Sequence, residues 1–524
     1  MTLGRRAWHI ATVLLVLLGI LSLRLVYWPL LRARDLAPVA LDALHYSARG
    51  DEEASDPAAV LALQDLPQPV IQRTAQKLAT IVRGSIYDRN GRVLAYEPRD
   101  TVGAPGRVYA EPSLANTLGY VSGLRVGVAG VEYATNDSLL GLDRLDGQLS
   151  QVVHQPIVGS NVYLTIDSRV QRTAAEALGD RAGAVVALDA HTGAVLAMVS
   201  SPRFDPNRVL NDGYIRDLLA GCGGTGCGNP FLNRATQGLY SPGSTWKTVT
   251  LIAALDSGQV NKDTVFDFGE PRQDAGGLYY VYPVDGFEIR DPNHRERQLD
   301  LTHAYMVSAN AAFARMADEM DATTLIRYAG RFGFGDGTSN RPPIEIGASS
   351  SLLARNPADL STNNVLRAST GFGQGELLAS PLDMALVVAA IENDGDVPSP
   401  HLVQAVRSPS GRLLQRETGR NWVSNAVKSE TARLVREMMI AAVEGGSGGA
   451  AGVPGLIVGG KTGTAQLGGD QAPHAWFIGF AEQGDRAVAI AVVVEHGGSG
   501  GQVAAPIFAR VAEAALLHLG EPVE

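Results

Sequence analysis

Ser241-Pro242-Gly243-Ser244-Thr245-Trp246-Lys247-Thr248-Val249-Thr250-Leu251-Ile252-Ala253-Ala254-Leu255-Asp256-Ser257-Gly258 decides how this chain is read. Ser241-Pro242-Gly243 has turn chemistry, and Thr248, Val249, Leu251, Ile252, Ala254 and Leu255 read as a buried helix that stops at Gly258. Ser244 is therefore expected in the first helical turn, where backbone N–H groups lack intrahelical partners and the dipole favours a developing anion. Lys247 follows one turn later on the same face. An amine at that position takes a serine proton only when neutral, which requires burial and a second nearby cation to depress its pKa. Taken alone, such a segment more often describes an N-capping serine followed by a solvated lysine.

Two later segments shift that balance. Ser308-Ala309-Asn310 precedes Ala311, Ala312, Phe313, Ala314, Met316 and Ala317, an apolar run of helical character. Its serine can relay a proton and its amide can bond a substrate backbone, although a capped helix start has the same composition. Lys461-Thr462-Gly463-Thr464 follows Leu456-Ile457-Val458-Gly459-Gly460, a short strand signal. On a strand, Lys461 and Gly463 point one way and Thr462 and Thr464 the other, so a lysine and a threonine share a face only if the strand twists or bulges at Gly463. The missing side chain of Gly463 is expected to leave room for a ligand. A basic group with hydroxyls suits a substrate carboxylate, and an edge N–H suits an oxyanion. Lys461 is then the candidate second cation. The three segments in this order resemble the signature of a serine acyl-transfer site.

The chain resembles the class B penicillin-binding proteins, the monofunctional D,D-transpeptidases of peptidoglycan synthesis, over most of its length. Arg83-Gly84-Ser85-Ile86-Tyr87-Asp88-Arg89-Asn90-Gly91 with Leu94-Ala95 is similar to that family's entry motif, and Gly127-Val128-Ala129-Gly130-Val131-Glu132 to its next pedestal signature. Leu164-Thr165-Ile166-Asp167, Gly183-Ala184-Val185-Val186-Ala187 and Thr192-Gly193-Ala194-Val195-Leu196-Ala197-Met198 resemble the start of the transpeptidase domain, and Gly373-Gln374-Gly375 with Pro381 a segment between the second and third motifs. The resemblance implies an α+β fold: a transpeptidase domain of the penicillin-binding and serine β-lactamase type, with an antiparallel sheet flanked by helices, on a strand-rich pedestal behind an N-terminal transmembrane helix. It implies Ser244 as acylated nucleophile, Lys247 as general base, Ser308 as proton shuttle and Asn310 as a substrate-amide ligand. Lys461 would support Ser308, Thr462 and Thr464 beside Gly463 would hold the terminal carboxylate, and the N–H groups of Ser244 and Thr464 would form the oxyanion hole. The implied substrates are peptidoglycan stem peptides ending in D-Ala-D-Ala, with β-lactams acylating the same serine and neither metal nor cofactor required.

Composition agrees with a globular exported enzyme. Apolar residues make up 45% and charged residues 19%, and the formal net charge of −10 argues against a nucleic-acid binder. Arg5 and Arg6 precede Ala7 to Leu23, which lacks Asp, Glu, Lys and Arg, and apolar character resumes from Leu25 to Leu31 after Arg24. At ~1.5 Å per residue this stretch can span a bilayer core of ~30 Å, with the positive side cytoplasmic. Small residues at Ala37-Pro38-Val39-Ala40 lie beyond Arg24, Arg32 and Arg34, too far from the apolar core for a cleaved signal peptide. The expected organisation is a cytoplasmic tail over 1–6, an anchor over 7–31, a stalk over 32–80, a pedestal over 81–160 and the transpeptidase domain over 161–524. That places the protein in the plasma membrane as a single-pass chain with its catalytic domain outside. Because an anchor and pedestal occur without a glycosyltransferase-like sequence, a polytopic membrane glycosyltransferase is the expected partner.

Cys222 and Cys227 share one glycine-rich loop, which in an exported chain favours a local disulfide. The final stretch, Ile507 to Leu519, reads as a helix with one buried stripe. The rival functions are a D,D-carboxypeptidase, a β-lactamase or β-lactam sensor, and a non-catalytic cell-wall scaffold. Glu417 and Asn421 have the spacing of a hydrolytic water-activating pair, but they follow Pro409-Ser410-Gly411 in what reads as a surface hairpin.

Overall fold

The computed structural model describes residues 81–98, 106–121, 127–143, 158–221, 228–338, 340–469 and 471–517. Five apolar segments build its central sheet, in the order Ile457–Ala465, His474–Gln483, Arg486–Val494, Gly183–Asp189 and Val195–Ser201. Every neighbouring pair is antiparallel. The inner strands are runs of Val, Ile, Ala and Phe rather than an alternation, because both faces are covered. One face packs on helices Ser168–Leu178 and Gly500–Leu516, with Phe477, Ile490 and Val492 against Phe508, Val511 and Ala512. The other packs on helices Pro381–Glu392 and Ser429–Glu444, behind which lies Lys247–Asp256. Pro381–Glu392 is apolar on all sides and buried almost throughout, as a central helix must be.

The expected C-terminal helix, with Phe508, Val511, Ala512, Ala515 and Leu516 on its buried stripe, starts earlier than its sequence suggests. It runs Gly500–Leu516 and carries Pro506 inside it. Gly500 is required there, since a Cβ would meet the carbonyls of Trp476 at 2.2 Å and Gly463 at 2.4 Å.

A second sheet of six strands runs Leu413–Arg416, Val403–Arg407, Asn161–Leu164, Ile86–Tyr87, Val93–Tyr96 and Val108–Tyr109. Asn161–Leu164 pairs in parallel with Ile86–Tyr87, so strands on either side of the 160/161 boundary belong to one sheet. Gly91, at φ +83°, makes the turn expected at Asn90-Gly91, with the Asp88 carboxylate accepting from the Asn90 and Arg92 N–H groups. The motifs beginning at Arg83 and ending at Glu132 meet through charge. Glu132 accepts from Arg83 at 2.8 Å and Arg107 at 2.6 Å, all three side chains being buried.

The anchor read over 7–31, the stalk over 32–80 and the cysteines Cys222 and Cys227 lie outside the described residues. Among the described residues no helix is long and apolar enough to cross a membrane.

Candidate active site

Ser244 lies in a short 3-10 turn, Gly243–Trp246, that leads directly into the helix Lys247–Asp256. The helix ends just before Ser257-Gly258, as the sequence suggests, with Gly258 at φ +79°. The turn is fixed from several sides. Trp246 is fully buried against Phe334, Trp476 Nε1 donates to the Ser241 carbonyl at 3.0 Å, and the Thr245 hydroxyl donates to the Pro242 carbonyl at 2.8 Å. Gly373 must be glycine, because a Cβ would sit 1.8 Å from the Gly243 carbonyl oxygen. Ser244 itself remains half-buried.

One turn on, the Lys247 amine is fully buried and reaches Ser308-Ala309-Asn310. Its Nζ donates to the Ser308 carbonyl at 2.6 Å, the Asn310 Oδ1 at 2.7 Å and the Ser308 hydroxyl at 3.0 Å. Lys461, also buried, places its Nζ 3.0 Å from the same Ser308 hydroxyl and 3.2 Å from the Thr462 carbonyl. Ser308 therefore bridges two lysines. Burial drives the Lys247 amine well below the usual lysine range, and the neighbouring Lys461 charge lowers it further, against a smaller opposing effect of Asp291. Burial alone brings Lys461 down to about 7.

The neutral form of Lys247 follows from its burial and from the neighbouring Lys461 charge.

The strand carrying Lys461-Thr462-Gly463-Thr464 pairs from Ile457 to Ala465 without a register shift. The expected alternation is kept, and the twist or bulge at Gly463 that would bring a threonine to the lysine's face is absent from the pairing. Lys461 and Gly463 lie opposite Ile478 and Trp476, while Thr462 and Thr464 lie opposite Phe477 and Ala475. The Thr462 hydroxyl pairs with that of Ser447 at 2.6 Å, and Thr464 is exposed. The expectation that Gly463 leaves room for a ligand is corrected. A Cβ there would lie 2.8 Å from the Pro242 carbonyl and 2.9 Å from Thr245 Cγ2, so the turn bearing Ser244 occupies the space. Glycine is needed for the strand to approach the nucleophile turn.

The structure thus brings Lys247, Ser308, Asn310 and Lys461 into direct contact and packs Gly463 beneath the Ser244 turn. It does not bring in Glu417 or Asn421. Glu417 follows the edge strand Leu413–Arg416 and bonds the Gln404 carbonyl through its N–H, and Asn421 donates to Asp396. Sequence reasoning missed Asp291, Asn293 and Ser447. The dipeptide Asp291-Pro292 signals only a turn, and nothing in its composition places it beside Ser308. Among the described residues, no group of three or more His, Cys, Asp or Glu could hold a metal ion.

The penicillin-binding protein transpeptidase domain matches residues 183–513. The peptidoglycan D,D-transpeptidase PbpA of Mycobacterium tuberculosis is 32% identical over 467 residues, covering 84% of this chain and 90% of its own. The peptidoglycan D,D-transpeptidase MrdA of Acinetobacter baumannii is 29% identical over 431 residues, covering 73% of this chain but 60% of its own. The structure of penicillin-binding protein A from M. tuberculosis as an imipenem acyl-enzyme complex aligns with a TM-score of 0.72 at 29% identity, over 84% of this chain and 99% of that one.

Proposed function

The chain belongs to the penicillin-binding protein transpeptidase family, in its class B branch, and from that premise we propose that it cross-links peptidoglycan stem peptides through a Ser244 acyl-enzyme. The observation that carries the reading is the Ser308 hydroxyl held at 3.0 Å from each of two buried lysines, one of them a turn from Ser244. In the first step neutral Lys247 takes the Ser244 hydroxyl proton as Oγ attacks the penultimate D-Ala carbonyl. The oxyanion is received by the N–H groups of Ser244 and Thr464. The proton then passes through Ser308 to the leaving nitrogen, the C–N bond breaks, and D-Ala departs. An amine of a neighbouring stem attacks the ester, returns its proton through the same chain and frees Ser244 with the cross-link made. The exposed Asn310 Nδ2, which in the free protein touches the Arg290 carbonyl at 3.3 Å, is available to a substrate amide. The terminal carboxylate falls to the strand edge at Thr464 and Thr462, with the Ser447 hydroxyl beside them.

β-Lactams acylate the same serine, since a strained amide beside a carboxylate mimics the D-Ala-D-Ala end. The relative solved as an imipenem acyl-enzyme supports this. Arg5 and Arg6 before a long apolar run support a membrane anchor with the catalytic domain outside, and a separate polytopic glycosyltransferase would supply the glycan.

Intact-mass analysis after a fluorescent penicillin, with peptide mapping, tests the reading. One adduct on Ser244 is expected, lost in Ser244→Ala without unfolding; labelling that survives the change would overturn it. Reconstitution with nascent glycan should give dimeric stem peptides. Efficient D-Ala release that never yields dimers would replace transpeptidation by carboxypeptidation. Recovery of the full-length chain, with its encoded N-terminus, in the membrane fraction tests the anchor; a mature N-terminus at or after Ala40 would refute it.

A further inference from the structure

Ser308 has an unusual backbone for its chemistry. Its φ is +62°, in the left-handed region that a side chain with a Cβ disfavours, so something outside the residue must hold it there. Two donors converge on its carbonyl, Lys247 Nζ at 2.6 Å and the Asn293 Nδ2 at 2.7 Å, which together use both lone pairs. The helix that follows, Asn310–Glu319, has Ala309 at its N-cap and so no cap of its own. Asp291 supplies one from elsewhere: its Oδ2 accepts the Ala311 N–H at 2.8 Å. Its other oxygen accepts the Asn293 N–H at 3.2 Å and so orients the residue that reaches Ser308.

We propose that Asp291 and Asn293, at the end of the hairpin Gly277–Val284 and Phe287–Asp291, are positioning residues for acylation: Asn293 locks the left-handed turn at Ser308, and Asp291 caps the helix that presents Asn310. The inference rests on the acyl-transfer reading of Ser244, Lys247 and Ser308. Neither residue touches the reacting atoms. Both act through Ser308, whose hydroxyl must keep its place between Lys247 and Lys461 to move a proton.

Asp291 has a second effect, because it is fully buried and is the carboxylate acting on Lys247. The charged and titratable groups around this pair are Lys461 from the motif strand, Tyr305 from the preceding helix, and His294, whose Nε2 lies 3.5 Å from Asp291. Burial pushes the Asp291 carboxyl up, but His294, Lys247 and the Ala311 N–H outweigh it and hold the group below its ordinary value, so it is an anion at neutral pH. As an anion it favours the protonated form of Lys247, partly countering burial and Lys461. Removing its charge must therefore lower the pH at which Lys247 becomes neutral.

The test is the acylation rate with a fluorescent penicillin, resolved into non-covalent binding and acylation steps across pH, on the full chain. Asn293→Ala should slow the acylation step on the order of tenfold, leaving binding and Tm near wild type, and Asn293→Gln, which restores a donor, should recover part of the loss. Asp291→Asn keeps an amide oxygen for the Ala311 N–H but lacks the charge, and should move the acid limb of the rate profile to lower pH. A wild-type acylation rate in Asn293→Ala, or an Asp291→Asn limb that stays in place, overturns the proposal while leaving Ser244 chemistry intact. A wild type that is not labelled at Ser244 overturns the functional reading and this inference with it.

Discussion

Two buried charge clusters in this protein obey opposite rules. In the segments before residue 160, Arg83, Arg107 and Glu132 are out of solvent, and one carboxylate is shared by the two guanidinium groups. Glu132 meets both guanidinium groups, Arg83 also donates to Asn136 at 2.9 Å, and Arg107 donates to the Gly84 carbonyl at 2.6 Å. Burial pushes the Glu132 carboxyl up, and the two arginines outweigh it and hold it below its usual value. At Lys247 and Lys461 two amines are buried around one serine, with no carboxylate among the described residues in hydrogen-bond contact with either. Both are pushed down. The first cluster keeps its charges and fastens segments before residue 160 together; the second sheds charge and so gains a base. Burial is common to both, and the presence or absence of a bonded counter-charge separates structure from catalysis.

Substitutions should split along that line. Lys247→Met should slow acylation by about 10²–10⁴-fold, the range for loss of a general base, while stability changes by less than about 2 kcal/mol, because an uncompensated amine leaves the interior. Acylation kinetics beside denaturant unfolding would show this, and a large stability loss would mean that the lysine pair is structural after all. Glu132→Ala should do the reverse, costing about 3–5 kcal/mol by removing the carboxylate that two buried guanidiniums share, with acylation per folded molecule unchanged. A rate loss in Glu132→Ala without unfolding would break the comparison from the other side.

A smaller effect is expected where the sheet meets the nucleophile. Gly463→Ala places a Cβ 2.8 Å from the Pro242 carbonyl and must push back the Ser244 turn, slowing acylation about tenfold with the non-covalent binding of penicillin largely kept.

The smallest differences concern pH, and the two clusters should respond in separate windows. Glu132 has a folded pKa below its ordinary 4.5, so its stabilisation is complete above that value and lost as pH falls through the folded pKa. Lys461 has a folded pKa near 7 against 10.5 unfolded, so between these values the unfolded chain binds more protons and stability rises with pH. Denaturant midpoints across pH in wild type, Glu132→Gln and Lys461→Met would assign each slope. In kinetics, loss of the Lys461 charge near pH 7 should set an alkaline limb on acylation, and Lys461→Arg should displace it upward, since a guanidinium stays charged.

Much of the site is legible in the order of the residues alone. Ser244 and Lys247 share a helical face because their spacing is one turn, and the apolar run behind them requires a buried helix. The central strands announce themselves by unbroken apolar composition, and the alternation of Lys461 and Thr462 follows from strand geometry. Which distant segments converge is not legible in this way. Gly463 reads as space for a ligand, because the sequence shows a missing side chain but not that the Ser244 turn fills the gap. The buried stripe marks the last helix only from Ile507, because Pro506 signals a boundary, whereas packing on Trp476 and Gly463 extends the helix back to Gly500. Asp291 and Asn293 give only a turn signal, and their partners lie beyond two intervening segments.

The sequence by itself determined the chemical inventory and its local geometry: a serine and a lysine on one turn, a serine and an amide at a helix start, a lysine on a strand. These depend on periodicities of three to four residues and two, which any short segment carries within itself. The tertiary structure alone decided that both lysines are buried, that they meet at one hydroxyl, and that Asp291 is the acid standing near them. Proton affinity depends on solvent exclusion and on charges a few ångströms away, and those distances are fixed only when separate parts of the chain are packed together.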